Sequence, residues 1–199
     1  MIKYISSLLI FLCIGLNTSK AQYVDIPDTL FGFWLDSMGY GSCLTGNNTI
    51  GWQMDTTCSL VRNTTTIDCS NYGIKDLTGI TYFDNLANLF CGGKHSLSYL
   101  PPLPVGLTQL VCPIGNLSSL PDLPPSLNTL LCYDNHITAL PAIPNTVRVL
   151  ICDNNDITNV PNLPTLMSIC SFSFNSNLRC LPKLNQISNL YFTNTANTC

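Results

Sequence analysis

The sequence predicts a right-handed repeat solenoid of about six coils, with a parallel sheet of short strands on its concave side and a small helical cap before it. Leu, Asn and Pro recur in one register along the chain, at a period near 20 residues that is typical of solenoids. Cysteines recur in the same register, at successive spacings of 22, 21, 20 and 20 residues: Cys69, Cys91, Cys112, Cys132 and Cys152.

The composition excludes several other classes. The 199 residues include 30 Leu, 21 Asn, 13 Pro, 11 Cys and no Glu, with a formal net charge of −3. Eight Lys and Arg cannot form the cationic surface that a nucleic-acid partner requires. Abundant Pro and Asn, together with the lack of Glu, exclude a helical bundle. A hydrophobic content of 46% excludes a disordered chain.

Residues 1–21 have the pattern of a secretory signal peptide. Lys3 gives a basic start, residues 4–16 are mostly apolar, and Ser19 and Ala21 place small side chains before the expected cut. The apolar run is shorter than the roughly 20 residues that span a bilayer. We therefore expect an exported protein, secreted or held at the cell surface or in the periplasm, without a transmembrane segment after cleavage and in a compartment that permits disulfides.

Residues 22–65 depart from the repeat and are expected to cap the stack, whose end would otherwise be exposed. One helix is predicted over about residues 28–38. Asp28 is its expected N-cap, and Gly39 can end it. The apolar residues of this segment are expected to share one helix face: Leu30, Phe31, Trp34, Leu35 and Met38.

The repeats occupy residues 66–199 and are clearest over 127–144 and 147–164. In the second of these, Leu150 and Cys152 alternate as they would on a strand that points them into the coil. Asn155 stands at a corner where its side chain can bond the turning backbone. Pairs of prolines follow at fixed spacing and favour extended structure over helix.

These units resemble the leucine-rich repeat, in the form L-x-x-L-x-C-x-x-N-x-L-x-x-L-P, over about residues 64–199. The resemblance is strongest to short-repeat secreted proteins of Bacteroidetes-type bacteria, whose N-terminal cap is similar to Ile26-Pro27-Asp28 and the aromatic helix after it. In that family a carboxylate-rich loop that suggests calcium often follows the helix. Residues 45–52 lack those carboxylates, so no metal and no cofactor is expected.

The cysteines divide into two groups. Those at repeat positions, with Cys170, are expected to be buried free thiols that act as small hydrophobes, and disulfides between adjacent coils are the alternative. A column with one thiol per coil does not match a tetrahedral metal site. The pairs expected to form disulfides lie in the cap and in the last coils: Cys43, Cys58, Cys180 and Cys199.

Alternation along the strands predicts a binding surface. If Leu150 and Cys152 point inward, then Ile151 and Asp153 point outward. Exposed apolar stripes with aromatic edges are typical of partner sites, although stacked aliphatic residues can also serve only to strengthen a parallel sheet. The expected ligand-binding residues are Phe90, Val111, Leu131, Tyr133, Ile151, Asp153 and Tyr191.

The sequence thus indicates a non-catalytic, adhesin-like or host-interaction module that binds a protein or a surface glycan through the concave sheet. A structural envelope or matrix assembly protein is the main alternative, and a secreted thiol enzyme is a third. The enzyme has little support, because the repeat thiols are expected inside whereas His95 and His136 stand at corners. No nucleophile elbow, phosphate loop or dinucleotide motif occurs.

Overall fold

A computed structural model describes residues 22–179, 189–191 and 193. These residues form a cap at the N-terminal side and a solenoid built on a parallel sheet. The predicted signal peptide and the Cys180–Cys199 pair lie outside the described residues. Among the residues that are described, no helix is long and apolar enough to cross a membrane.

The solenoid sheet contains seven parallel strands in sequence order. Each strand is three residues long: β4 (Thr66–Asp68), β5 (Asn88–Phe90), β6 (Gln109–Val111), β7 (Thr129–Leu131), β8 (Val149–Ile151), β9 (Ile169–Ser171) and β10 (Asn189–Tyr191). Equivalent repeat residues pair directly, for example Leu130 with Leu150 and Leu150 with Cys170. The predicted solenoid of about six coils with a short parallel sheet is therefore confirmed.

The core is a stack of repeat positions. In each strand from β4 to β9 the central residue is buried, and the repeat cysteine after it, or Phe172 in the last of these coils, is buried too. The segments with paired prolines are free of helix and strand, because proline lacks the N–H group that a helix interior or a central strand uses. No coil could bury its apolar residues alone, so the coils stabilise one another by stacking.

A left-handed residue turns the chain at the corner of nearly every coil. It precedes the position of the repeated Asn and has φ between 50° and 62° in Asn71, Ile114, Asp134, Asn154 and Phe174. Asn and Asp tolerate this conformation because their short polar side chains bond locally. A β-branched residue such as Ile114 is strained there.

The cap contains more structure than the single predicted helix. A three-stranded antiparallel sheet has the order β1-β3-β2, from β1 (Tyr23–Ile26), β2 (Leu44–Asn47) and β3 (Gly51–Asp55). A second short helix, α2, covers Ser59–Asn63. A disulfide joins Cys43 to Cys58, with Cα atoms 5.6 Å apart, and so closes the segment that holds β2 and β3.

The predicted helix over 28–38 has a narrower buried face than expected. Helix α1 covers Thr29–Leu35, and the helical backbone continues to a kink at Gly39, which has a left-handed φ of 95°. Phe31, Trp34 and Leu35 are buried, but Leu30 and Met38 are about half exposed. Leu30 and Met38 lie near the two ends of this helical segment, away from the part that packs against the core.

Asp28 connects the cap to the first coil. Its Oδ1 accepts hydrogen bonds from the main-chain N–H groups of Leu30, at 2.8 Å, and Phe31, at 3.1 Å, as an N-cap does. Its Oδ2 accepts from the N–H groups of Lys75, at 2.6 Å, and Asp76, at 3.1 Å. One carboxylate therefore fixes where the helix begins and how it sits on the solenoid.

Candidate ligand-binding face of the sheet

An apolar column runs across four neighbouring strands on the outer face of the solenoid sheet. Phe90, Val111, Leu131 and Ile151 stand side by side, because each pairs directly with the next. All four are partly exposed, whereas the leucines that precede them are buried. The structure thus brings together four of the residues that the sequence singled out, on the face opposite the core.

A shallow depression of about 540 Å³ lies at the corner side of this column. Its apolar wall is formed by Ile151, Tyr133 and Phe174, and its polar wall is formed by Asp134, Asp153 and Asn154. Phe174 is 54% exposed, which is unusual for a phenylalanine in a folded chain. We call the column together with Tyr133 and Phe174 the sheet patch.

Phe174 was missed by the sequence analysis. It occupies the left-handed corner position that Asp134 and Asn154 occupy in the coils before it. An aromatic residue at a position where neighbouring coils carry Asp and Asn was the signal that could have found it. The backbone at this corner turns the ring to the surface instead of the core, because the corner residue lies outside the alternating strand pattern.

Asp153 lines the depression and also makes hydrogen bonds to the next coil. Its Oδ1 accepts hydrogen bonds from the Ser171 hydroxyl at 2.6 Å and from the Ser173 N–H at 2.7 Å. These contacts tie one coil to the next. Ser171 itself is only 5% exposed, so the polar pair interrupts the apolar column after Ile151.

Tyr191 stands apart from the other predicted residues. It lies on β10, pairs with Ser171 and is 55% exposed. Because Ser171 separates it from Ile151, the structure does not join Tyr191 to the apolar column. The sheet patch therefore leaves Tyr191 out.

Beneath the patch the repeated asparagines join adjacent coils. Asn135 is buried and donates from Nδ2 to the carbonyls of Cys112, at 3.0 Å, and Cys132, at 3.1 Å. Its Oδ1 accepts from the Leu117 N–H at 3.1 Å. Gly115 stands where the previous coil would carry an Asn, and a Cβ there would lie 2.5 Å from the Asn135 Oδ1. The patch thus rests on a backbone that side-chain hydrogen bonds hold in place.

The six repeat cysteines that the structure describes are buried free thiols. Burial raises the pKa of Cys69 to about 12 and has the same effect on Cys170. The pKa values of Cys91 and Cys112 are raised well above their ordinary value, chiefly by burial as well. Because only the thiolate is a strong nucleophile, these buried protonated thiols do not support thiol catalysis.

The two histidines border a separate polar depression of about 240 Å³ at the corners. His136 places Nδ1 at 3.4 Å from Oδ2 of Asp156, and both side chains are at least half exposed. No cysteine lines this depression. Within the described residues no group of three or more His, Cys, Asp or Glu is placed to hold a metal ion.

Comparison with solved structures identifies the fold. The leucine-rich-repeat domain of a Shigella effector is similar to this chain, with a TM-score of 0.62 and 27% sequence identity over 68% of the chain. The chain has a leucine-rich-repeat fold. The match covers 61% of the length of the Shigella domain. Leucine-rich-repeat solenoids present extended binding surfaces, which agrees with an interaction module.

A second leucine-rich-repeat comparison is weaker. YopM from Yersinia enterocolitica WA-314 matches with a TM-score of 0.41 and 23% identity, over 57% of this chain and 34% of that one. No protein-family description matches the chain. No curated protein matches it either.

Proposed function

We propose that this leucine-rich-repeat chain is an exported, non-catalytic recognition module that binds a protein through the concave face of its sheet. The observation that supports this most directly is the sheet patch, in which four partly exposed apolar residues stand in register beside Tyr133 and the exposed Phe174. Interface cores are rich in aromatic residues and depleted of charge, as this patch is.

A protein segment suits the patch better than a surface glycan. The centre of the patch consists of Val111, Leu131 and Ile151, which offer a sugar hydroxyl no hydrogen-bond partner. A glycan that covered them would leave its own polar groups unpaired, at a cost of about 1–3 kcal/mol for each group. An apolar or aromatic side chain of a protein partner would instead lose unfavourable contact with water.

The proposal is tested with the double variant Leu131→Asp/Ile151→Asp. A partner captured on the immobilised wild-type chain is purified, and its Kd is measured by titration calorimetry. Two carboxylates buried in the interface should weaken binding at least about 100-fold. Equal affinity of variant and wild type, with the variant shown to be folded by circular dichroism, would overturn the proposal.

A matched control places the same two charges elsewhere. Val105 and Leu166 are 73% and 68% exposed and lie in the turns that precede β6 and β9. The variant Val105→Asp/Leu166→Asp should keep the wild-type affinity within about threefold, because surface changes away from the interface have small effects. Sedimentation of the wild-type chain alone tests the assembly alternative. If the wild-type chain forms oligomers and the Leu131→Asp/Ile151→Asp variant is monomeric, the patch serves self-assembly instead.

A further inference from the structure

A close pair of thiols lies directly behind the sheet patch. The Sγ atoms of Cys132 and Cys152 lie 3.1 Å apart in the core, joined by a hydrogen bond. That is about 1 Å longer than the S–S bond of a disulfide. Both residues are completely buried in the core.

The backbone already holds these two cysteines face to face. Leu131 and Ile151 pair in parallel register at the ends of β7 and β8, and each cysteine is the residue that directly follows its strand. Asn155 donates from Nδ2 to the carbonyl of Cys132, at 3.0 Å, and to that of Cys152, at 3.2 Å. The Asn155 amide therefore fixes the separation of the two residues from the backbone side.

We propose that Cys132 and Cys152 are an oxidation site that closes to an inter-coil disulfide when the chain folds with a low-molecular-weight disulfide such as oxidised glutathione. The thiolate of one cysteine attacks the small disulfide, forming a mixed disulfide and releasing one glutathione thiolate. The second cysteine then attacks the protein sulfur of that mixed disulfide, forms the Sγ–Sγ bond and releases the second glutathione. The two protons lost by the cysteines protonate the two released thiolates, so two electrons pass from the protein to the oxidant.

The burial of the two thiols determines when the disulfide between them can form. In the folded chain both thiols are enclosed and protonated, because the hydrogen bond to Cys152 together with burial raises the pKa of Cys132, and burial raises the pKa of Cys152. Exchange requires a thiolate and access to the small disulfide. The bond therefore forms while the coils are still assembling, and the completed core then protects it. Its consequence is a covalent tie between the two coils that carry Leu131 and Ile151.

Peptide mapping gives a direct test, because the sequence separates the two cysteines. Cleavage after Lys and Arg and before Asp leaves Cys132 alone in peptide 122–133 and Cys152 alone in peptide 149–152. The full chain is unfolded, reduced, refolded in a glutathione redox buffer, alkylated under denaturing conditions and digested without reduction. The expected result is a linked peptide pair, 2 Da lighter than the sum of its reduced parts, that accounts for most of the cysteine at both positions.

The same digest contains its own control. Cys43 and Cys58 fall in the separate peptides 36–54 and 55–62, whose linkage reports that refolding and oxidation have succeeded. If this control pair is linked while Cys132 and Cys152 are both recovered alkylated, the proposal is overturned.

Variants test whether the pairing is specific. Cys112 stands one coil before Cys132 and is isolated in peptide 95–121. Cys112→Ala should leave the proposed link intact, whereas Cys132→Ala should abolish it and return Cys152 as an alkylated thiol. A link between Cys112 and Cys132 in the wild-type chain would also overturn the assignment, since it would show that the close pair seen in the core is not the one that reacts.

Discussion

Asn155 donates a hydrogen bond from its side-chain Nδ2 to the main-chain carbonyl of Cys132, 3.0 Å away and one coil earlier in the chain. The same amide accepts through Oδ1 from the N–H of Ile137 at 2.9 Å. A buried side chain thus replaces the backbone partners that a turning chain cannot supply. Asn135 and Asn175 make the equivalent contacts in their coils.

Loss of this amide should destabilise the solenoid strongly. We predict that Asn155→Ala lowers the free energy of unfolding by about 3 kcal/mol, because it leaves buried carbonyl and N–H groups without partners. Urea denaturation of both proteins measures the difference. Asn116 is an exposed asparagine at a neighbouring corner position, and Asn116→Ala should change the value by less than about 0.5 kcal/mol. Similar losses for both variants would contradict the structural role of the ladder.

The cap depends on a close approach between Gly32 and Trp52. A Cβ at Gly32 would lie 2.2 Å from Cδ1 of the Trp52 ring, a contact that the rigid ring cannot avoid without moving. We predict that Gly32→Ala lowers the free energy of unfolding by about 2 kcal/mol, as overpacking does, despite the better helix propensity of Ala. The fluorescence of the cap tryptophans should report the displacement.

Gly106 gives a matched control for this prediction. The nearest atom to a Cβ there is the Asp84 carbonyl oxygen at 3.7 Å, an ordinary contact. Gly106→Ala should therefore be neutral within about 0.5 kcal/mol. An equally neutral Gly32→Ala would show that Trp52 does not pack against α1 as described.

Backbone strain at Ile114 should be removable. This residue has φ 55°, in a region that disfavours β-branched side chains, while Asn154 stands at the equivalent corner two coils later. We predict that Ile114→Asn raises the free energy of unfolding by about 1 kcal/mol. This gain is the strain of the left-handed conformation that Asn relieves, reduced by the apolar contacts that are lost with the Ile side chain. The urea midpoint should rise without a change in slope. Ile114→Val keeps the branched Cβ and should bring no gain.

Alkaline pH should destabilise the reduced chain through its buried thiols. Folding raises the thiol pKa above its ordinary value of 9.0, to about 12 for Cys69, so the folded state keeps protons that the unfolded state loses. The stabilisation is complete below pH 9 and is lost as the pH rises from 9 towards 12. Each such thiol contributes about 1.4 kcal/mol per pH unit in that interval.

The measurement is the free energy of unfolding against pH, with a phosphine reductant present. Cys132→Ala removes one buried thiol and should reduce the slope between pH 9 and 11 by about 1.4 kcal/mol per pH unit. A variant with the wild-type slope would indicate that Cys132 ionises equally in both states. Measurements between pH 6 and 8 should show no contribution from the thiols in either protein.

Much of the solenoid could be predicted because its determinants are local and repeated. Leu150 and Cys152 alternate on a strand, Asn155 follows at a fixed distance, and each feature recurs about every 20 residues. Because every coil must fit the next, the same weak local pattern recurs in each coil, and this recurrence makes the pattern recognisable in the sequence. The apolar column at Leu131 and Ile151 follows from the same alternation.

The cap was predicted less well because its local sequence pattern occurs only once and is not reinforced by repetition. The hairpin of β2 and β3 contains Gly, Asn and Thr in place of a strong apolar alternation, and it forms against α1 and the Cys43–Cys58 disulfide. Met38 matched the helical period in the sequence but is about half exposed, because it lies at the end of the helical segment, next to the kink at Gly39. Whether the end of a helix is covered depends on tertiary packing, which local periodicity does not encode.

By itself the sequence determined the repeat period, the inward column of Leu and Cys and the outward column from Phe90 to Ile151. Period and alternation are properties of neighbouring residues along one chain. Only the tertiary structure decided that Phe174 joins this surface and that the thiols of Cys132 and Cys152 meet at 3.1 Å. These contacts join residues of different coils, and their distances are set by the stacking and by the corner geometry of each coil.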